Sequence, residues 1–348
     1  MPLFKSPPKS ICILRLSAIG DVCHCVAAVQ AIQKQWPETK ITWIMGKVEA
    51  QLLSDLPNVN IIIFDKKTGF KGMKALWKSL KDKHFDALLH MQVALRSSVL
   101  TLGIKAKYKV GFNLKRAKEG QWLFTNKKIA DTSSSHVLDS FFEFVYFLGI
   151  KKTTPTWHIP LSNEDVNFAN ALSSNKKRLV ISPSASKEER NWTTVGYASI
   201  ADYAEKKGYQ VILCGSPTEK EVALGFQIEA QTKSNVINLI GKTSLKQLTA
   251  VLKEATIVLA PDSGPAHIAT TQGTPVIGLY AHSNPKRTGP YLSLGSTVSV
   301  YEKHVQAQQG KPLSVLPWST RAKGVNLMQD IKIKDVIKVF DNLEQETI

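Results

Sequence analysis

The sequence predicts an α/β protein made of two doubly wound domains, each built on a parallel sheet. Three observations lead to this prediction. The chain has 348 residues, enough for two domains of about 100 to 200 residues each. Short apolar runs alternate with stretches of helical spacing, which is the rhythm of βαβ units. One such series begins at residue 11, and a second begins at residue 178.

The first series opens with an apolar strand at residues 11–16, a glycine-containing turn and a helix whose apolar positions recur at helical spacing from Val22 to Ile32. Helical spacing over residues 72–83 separates two of the later strands. Those later strands are predicted at residues 41–45, 61–64 and 87–90. The order of these elements favours a parallel sheet.

The second series contains five short buried strands, predicted to begin at residues 178, 210, 236, 257 and 275. Before it, Pro155, Pro160 and the polar stretch 162–177 predict a linker. The predicted domains are therefore residues 1–165 and 166–325, followed by a C-terminal helix within 326–348. Two such domains facing each other across a cleft would bind ligands beyond the carboxyl ends of their strands.

Charge is distributed unevenly along the chain. Lys and Arg number 45 against 28 Asp and Glu, a net charge of +17. Residues 1–160 hold 24 basic and 11 acidic residues, whereas residues 161–348 hold 21 and 17. The excess in the first half indicates an anionic partner, such as nucleic acid, an anionic membrane surface or a phosphorylated glycolipid. A generally basic, solvated surface is the alternative.

Several classes of protein are excluded by composition. Apolar residues make up 43% and charged residues 21%, as in globular proteins rather than disordered ones. We expect no membrane-spanning segment and no signal peptide, and therefore a cytoplasmic protein. The four cysteines lack metal-ligand spacing, so we expect reduced, buried thiols and no metal site.

The segment APDSGPAHIA at residues 260–269 lies where a predicted strand turns into a helix. Ser263 and Gly264 would stand at the helix start, where free N–H groups and the helix dipole suit a diphosphate. Asp262 could accept hydrogen bonds from sugar hydroxyls, and His267 could donate to a phosphate. An ordinary helix cap with a core histidine is the alternative.

A second loop, SPSASKEERNW at residues 182–192, places Arg190 where a cation can neutralise a leaving phosphate. After the next strand, Glu219 could hold ribose hydroxyls or simply begin a solvated helix. Neither GxGxxG nor GxxxxGK[ST] is present, which argues against dinucleotide and P-loop sites. These loops together indicate a pocket for a nucleotide diphosphate.

In the first half, the string SAIGDVCH at residues 17–24 puts Asp21 at a helix start, where it could act as a general base or only cap the helix. Arg96, the basic run 115–118 and His136 supply cations on the same half. For each of these cations a solvated surface charge is the alternative.

Five strings, in order along the chain, resemble glycosyltransferase family 9, the bacterial heptosyltransferases of the lipopolysaccharide inner core. They are RLSAIGDV from residue 15, SPSASKEERNW from 182, GKTSL from 241, PDSGPAH from 261 and YAHSNPKRTGPY from 280. The sequence is most similar to the type that adds the first heptose to Kdo. The resemblance implies a GT-B fold and inverting, metal-independent transfer from ADP-L-glycero-D-manno-heptose to Kdo-lipid A, with no cofactor.

The resemblance also implies roles for single residues. Asp21 would be the base, Arg190 would hold the diphosphate and Asp262 the heptose. The remaining donor-binding residues would be Ser186, Glu219 at the ribose, Thr243 at the nucleotide, and Ser263, Gly264 and His267 at the phosphates. On the acceptor side, Arg96, Lys118 and His136 would meet the anionic Kdo and lipid A. Several heptosyltransferases carry lysine where Arg190 stands, which leaves its contact open.

The resemblance further implies that the C-terminal helix packs back on the first domain, although a plain core helix fits equally well. A lipid-linked acceptor implies peripheral attachment to the cytoplasmic face of the inner membrane. Three alternatives are a transferase or epimerase using another nucleotide sugar, an inactive sugar-binding relative, and a basic nucleic-acid-binding protein. The sequence lacks a helix-turn-helix pattern, a zinc-finger pattern and the aromatic-basic string of an RRM, so no nucleic-acid partner is expected.

Overall fold

Two six-stranded parallel sheets form the framework of the chain, one in unit Met1–Pro160 and one in unit Leu161–Ile348. The structure is a computed structural model that describes residues 2–172 and 175–346. Within each sheet, all pairs of neighbouring strands are parallel.

In the first unit, helices alternate with strands along the chain. The strands are β1 (Ser10–Leu14), β2 (Lys40–Gly46), β3 (Val59–Phe64), β4 (His84–His90), β5 (Lys105–Gly111) and β6 (Lys127–Lys128). The helices are α1 (Ile19–Gln35), α2 (Lys47–Leu53), α3 (Gly69–Ser79), α4 (Leu95–Leu100) and α5 (Val137–Leu148), with 3₁₀ turns at Lys66–Thr68, Thr101–Gly103 and Gln121–Phe124.

The second unit repeats this alternation. Its strands are β7 (Arg178–Ile181), β8 (Gln210–Leu213), β9 (Val236–Asn238), β10 (Ile257–Pro261), β11 (Val276–Tyr280) and β12 (Thr297–Ser299). Its helices are α6 (Asn163–Ala171), α7 (Thr194–Lys206), α8 (Glu219–Glu229), α9 (Leu245–Lys253), α10 (Gly264–Thr271), α11 (Pro285–Thr288), α12 (Tyr301–Gln309) and α13 (Ile333–Glu346). A 3₁₀ turn at Glu188–Arg190 lies in the loop after β7.

The two sheets share one strand order. The first runs β3-β2-β1-β4-β5-β6, and the second, read from its β9 edge, runs β9-β8-β7-β10-β11-β12. The order therefore reverses between β1 and β4 in one sheet and between β7 and β10 in the other. In doubly wound sheets, ligands bind beyond the carboxyl ends of the strands at this switch point. The strand order therefore indicates the loops after β1, β4, β7 and β10 as the places where ligands would bind.

The apolar core of each unit lies between its sheet and its helices. In the first unit it includes Leu14, Ile44 and Leu88 from the sheet and Leu76 from α3. All four cysteines are buried and none forms a disulfide, as the sequence predicts. Burial raises the pKa of the Cys214 thiol to about 12, which keeps it protonated and unreactive near neutral pH.

Two features differ from the sequence-based predictions. The predicted linker 162–177 contains helix α6, whose start is closed by a capping box between Ser162 and Asp165. Residues 173 and 174 of that segment lie outside the described residues. The boundary between the two units falls between Pro160 and Leu161, whereas the sequence predicts a domain boundary between residues 165 and 166.

The C-terminal helix α13 contributes to the core of the second unit. Val336, Phe340 and Leu343 on one face of α13 join the core of the second unit, where Phe340 packs 5.1 Å from the ring of Tyr209. The amphipathic face of α13 is buried against α7 in the second unit, as the alternative of a core helix implies. Packing of this helix on the first domain stays a prediction. Residues 347 and 348 lie outside the described residues.

Candidate active site

The loops after β1 and β4 meet at the switch point of the first sheet. The Gln92 side chain joins them, because its Oε1 accepts from Leu16 N at 2.9 Å and from Ser17 N at 3.3 Å. Arg15 makes a second connection, with Nη1 donating to Met91 O at 2.6 Å. These contacts fix the entrance to helix α1.

Asp21 is the third residue of α1 and lies beside this junction. Its Oδ2 forms an ion pair with Arg15 Nη2 and accepts from Ala18 N at 3.3 Å. The Asp21 side chain is 33% exposed, whereas that of Arg15 is 9% exposed. A buried guanidinium thus holds an accessible carboxylate in place, and both fixed contacts fall on the same carboxylate oxygen.

Arg15 carries the positive charge in this buried environment. Its guanidinium lies 5.4 Å from the centre of the Phe141 ring. Burial, together with the nearby Arg15 charge, lowers the pKa of the neighbouring His90 to about 3, so that imidazole stays neutral. His90 Nε2 instead shares a hydrogen bond of 2.9 Å with Ser98 Oγ. Arg15 is therefore a positioning residue for Asp21.

Two further titratable residues, Glu49 and Lys66, lie near this cluster and were missed by sequence reasoning. Burial raises the pKa of Glu49, and burial lowers the pKa of Lys66, although each charge opposes the shift of the other. Lys66 Nζ contacts Ser17 Oγ. Neither residue belongs to a local motif. Their signal is position alone, since they follow the carboxyl ends of β2 and β3.

The residues predicted to bind the acceptor divide into two groups. Arg96 and Lys118 are exposed, and Arg96 Nη1 donates to Lys66 O at 3.2 Å. His136 is buried, and its Nδ1 accepts from Leu138 N at 3.1 Å, which caps helix α5. Its ring also stands edge-on to His24 at 5.2 Å. The alternative of a solvated surface charge is therefore wrong for His136, because its buried ring closes a helix start.

A second cluster lies at the switch point of the other sheet, where the loops after β7 and β10 meet. Arg190 Nη1 contacts Asp262 Oδ2 at 3.4 Å, and the two side chains are 11% and 12% exposed. Ser283 Oγ, from the loop after β11, contacts the same carboxylate oxygen. Arg190 and Asp262, which the sequence singles out from separate loops, are thus brought together by the fold.

Helix α10 begins beside this pair. Ser263 is its N-cap residue but makes no side-chain cap, and its buried Oγ has no hydrogen-bond partner among the described residues. Gly264 is the first helical residue, Pro265 lies in the first turn, and His267 is buried one turn in. The unused donors of this helix start suit an anion.

A cavity of about 600 Å³ lies between the loop after β7 and helix α8. Ser186 lines it, together with Asn191, Lys220 and Glu221. Glu219, the predicted ribose ligand, is the exposed first residue of α8, whereas Glu221 is used within the chain, accepting from Ser216 N at 2.7 Å. Thr243 is partly exposed in the loop after β9.

Comparison with known proteins decides the family. The model of glycosyltransferase family 9 (heptosyltransferase) matches residues 73–318. The lipopolysaccharide core heptosyltransferase OpsX of Haemophilus influenzae is 54% identical over 338 residues, covering 97% of each chain. The chain belongs to glycosyltransferase family 9. The family predicted from the five sequence strings is confirmed.

Solved structures confirm the predicted fold class. A family 9 glycosyltransferase from Veillonella parvula superposes with a TM-score of 0.78 at 22% identity, covering 97% of each chain. The Escherichia coli heptosyltransferase WaaC with ADP gives a TM-score of 0.74 at 19% identity, covering 96% of this chain and 99% of that one. This family 9 member is a glycosyltransferase with the two doubly wound sheets of the GT-B class.

Two observations concern metals and membranes. In residues 2–172 and 175–346, no group of three or more His, Cys, Asp or Glu side chains is arranged to bind a metal ion. No helix in the same described ranges has the length and apolar composition that crossing a bilayer requires.

Proposed function

We propose that this family 9 enzyme transfers L-glycero-D-manno-heptose from ADP-heptose to Kdo of the lipopolysaccharide inner core, with inversion and without a metal ion. The first unit would bind Kdo-lipid A, and the second would bind the nucleotide sugar. The name of the 54% identical relative supports the lipopolysaccharide core as the product. We place the enzyme at the cytoplasmic face of the inner membrane as a peripheral protein.

The accessible Asp21 carboxylate carries this proposal. In an inverting transfer, the acceptor hydroxyl oxygen bonds to the anomeric carbon while the bond from that carbon to the β-phosphate oxygen breaks. The hydroxyl proton needs a base, and ADP leaves with the bonding electrons. Because the contacts of Asp21 with Arg15 and Ala18 both use Oδ2, Oδ1 is the oxygen we assign to the proton.

Stabilisation of the leaving diphosphate is assigned to the second unit. Arg190, the start of α10 and His267 supply positive charge or N–H donors, and Ser263 Oγ supplies a hydroxyl donor. In this proposal Asp262 accepts from the heptose hydroxyls. Ser186, Glu219, Thr243 and Gly264 contact the nucleotide side of the donor.

Recognition of the anionic acceptor is assigned to cations of the first unit. Lys66 contacts Ser17 next to the Asp21 cluster, and the Arg96 guanidinium donates a hydrogen bond to the backbone carbonyl of Lys66. Both can pair with the carboxylate of Kdo. Lys118 and His136 remain predicted acceptor residues, although the burial of His136 favours a role in shaping the loop.

The decisive experiment measures ADP release from ADP-heptose with and without Kdo-lipid A, in the presence of EDTA. Acceptor-dependent release that survives EDTA, with NMR showing an inverted anomeric configuration in the product, is the expected result. Release that requires added metal would remove the metal-independent mechanism. No release with any Kdo acceptor would remove the heptose assignment, and a panel of other sugar nucleotides would then test the alternative transferase and epimerase activities.

A further inference from the structure

The positive charge of the first half is concentrated in one segment. Residues 66–128 contain 16 Lys and Arg against three Asp and Glu, a net charge of +13. The rest of that half, residues 1–65 and 129–160, contains eight basic and eight acidic residues. The whole excess of residues 1–160 therefore belongs to residues 66–128.

The same segment carries most of the large apolar side chains that the first unit exposes. Eight such side chains within the described residues 2–160 are at least half exposed, and six of them fall in residues 66–128. These six are Phe70, Leu95, Leu102, Leu114, Trp122 and Leu123. Clustering of exposed apolar groups, as opposed to single exposed ones, indicates an interaction surface.

Hydrogen bonds join the parts of the segment that carry these side chains. Trp77 Nε1 of α3 donates to Leu100 O of α4 at 2.9 Å, next to the 3₁₀ turn that exposes Leu102. Leu95 N of α4 donates to Glu119 Oε2 at 2.7 Å, in the loop 113–124. Helix α3, helix α4 with its 3₁₀ turn, and loop 113–124 thus adjoin, and we call their exposed side the basic-apolar face.

Helix α3 shows how this face is built. Met73 and Leu76 are buried on its inner side, while its outer side exposes Phe70 and lysines. Lys74 Nζ lies 4.9 Å from the centre of the Phe70 ring. An apolar aromatic group beside lysines on the exposed side of a helix suits contact with a membrane interface.

The loop that presents Trp122 and Leu123 is anchored. Gln121 Nε2 donates to His90 O at 2.9 Å and to Gln92 O at 3.1 Å, and its Oε1 accepts from Phe112 N at 3.1 Å. The side chain of Gln92 also accepts hydrogen bonds from the loop before Asp21. Gln92 therefore connects the loop that carries Trp122 and Leu123 to the Asp21 cluster. Two apolar side chains are therefore held outward by a fixed backbone beside the proposed acceptor site.

We propose that the basic-apolar face docks on an anionic lipid bilayer, with its lysines at the phosphate headgroups and Phe70, Trp122 and Leu123 in the interface. Charge complementarity selects this partner, since lysines near an anionic surface add attraction and apolar side chains add burial. The inference rests on the proposed function, because a lipid-linked acceptor is presented at such a surface.

The experiment compares binding to vesicles of phosphatidylcholine with about 30% phosphatidylglycerol and to vesicles of phosphatidylcholine alone. The double variant Trp122→Ser, Leu123→Ser should bind the anionic vesicles about tenfold more weakly, and Lys71→Gln, Lys74→Gln should lose about fivefold for each lysine. The control is Val325→Ser in the second unit, where a 78% exposed apolar side chain lies outside the face.

Activity separates docking from catalysis. Both double variants should lose turnover of Kdo-lipid A in anionic vesicles while keeping ADP release with a delipidated, water-soluble Kdo acceptor within about twofold of the wild type. The docking proposal would be overturned if the double variants bound vesicles as well as the wild type does, or if Val325→Ser lost as much binding as they do. It would also be overturned if the wild-type protein bound duplex DNA but not vesicles. Vesicle binding that depends on this face without turnover of any Kdo acceptor would instead remove the proposed function alone.

Discussion

The contact between Asp21 and Arg15 predicts the effect of the most conservative change at the proposed base. In Asp21→Asn the side chain keeps its size but cannot take a proton, and it no longer neutralises the buried Arg15. We expect kcat to fall by about 10² to 10⁴, with donor affinity nearly unchanged, because the groups proposed to bind the donor belong to the second unit. Steady-state kinetics together with calorimetric titration of ADP would measure both quantities.

The matched control for this variant is Asp82→Asn, which removes an exposed carboxylate of the same unit whose ion pair to Lys81 spans 3.9 Å. This change should leave kcat unaltered. A near-normal rate in Asp21→Asn would remove the base assignment, and an equal loss in Asp82→Asn would indicate a general effect of charge.

The proposed role of Lys66 in acceptor binding predicts a pH dependence of the reaction in the alkaline range. Burial lowers its pKa from the ordinary 10.5, so Lys66 loses its charge at a lower pH than a solvated lysine. The cation is present below that pKa and absent above it, so the KM for an anionic acceptor should begin to rise before pH 10.5. Lys66→Arg, which stays charged to higher pH, should remove this rise. A KM profile that is identical in the two proteins would contradict a role for Lys66 in acceptor binding.

For single residues, the sequence predicts candidates that lie within a short motif. It does not predict the side chains that contact those candidates from other parts of the chain. Asp21 and Asp262 stand out because each follows a strand and begins a helix. Arg15 lies in the predicted strand run 11–16. Its ion pair with Asp21 could not be predicted, because the pair forms only where the chain turns from β1 into α1. Glu49 and Lys66 come from separate crossovers and meet the cluster only through the order of strands in the sheet.

The start of helix α10 distinguishes a ligand site from an ordinary helix cap. A serine that caps a helix is worth about 1 kcal/mol of stability, but Ser263 Oγ makes no cap bond. Ser263→Ala should therefore leave the melting temperature of the free enzyme within about 1 °C while weakening ADP binding about tenfold, by loss of one hydrogen bond. Thermal melting and titration calorimetry would test the two halves of this expectation.

Thr193→Ala is a suitable control, because Thr193 Oγ1 does cap helix α7, accepting from Gly196 N at 3.0 Å. It should lower the melting temperature and leave ADP affinity unaltered. If Ser263→Ala behaved like this control, the helix start would be a structural cap and the diphosphate would need another site.

Among the strands, the sequence predicts those that consist mainly of apolar residues. Strands β1, β2, β3 and β4 and the first five of the second sheet are apolar runs. Strand β5 reads KAKYKVG, in which lysines alternate with other residues, and β6 and β12 have two and three residues. Strands of this kind, which lie at a sheet edge or next to it, carry too little apolar pattern to be found before their neighbours are known.

For the molecule as a whole, one strand order is used twice with different side chains at the switch point. In the first sheet the loops after β1 and β4 carry a carboxylate held by a buried arginine. In the second, the loops after β7 and β10 carry an arginine and a carboxylate beside an uncapped helix start. A shared backbone plan therefore yields a candidate base in one unit and a candidate diphosphate site in the other.

The net charges of the two halves, +13 and +4, predict different sensitivities to salt. Exposed charges are screened over about 10 Å at 0.1 M salt and over about 3 Å at 1 M, so attraction that depends on many surface lysines weakens most. Raising NaCl from about 0.05 M to about 0.5 M should raise the KM of a water-soluble Kdo acceptor about tenfold and the Kd of ADP about threefold. The smaller effect on ADP follows from its proposed contacts, which are few and close to the half-buried start of α10. Equal shifts for the acceptor and ADP would show that the excess charge of the first half does not act on the acceptor.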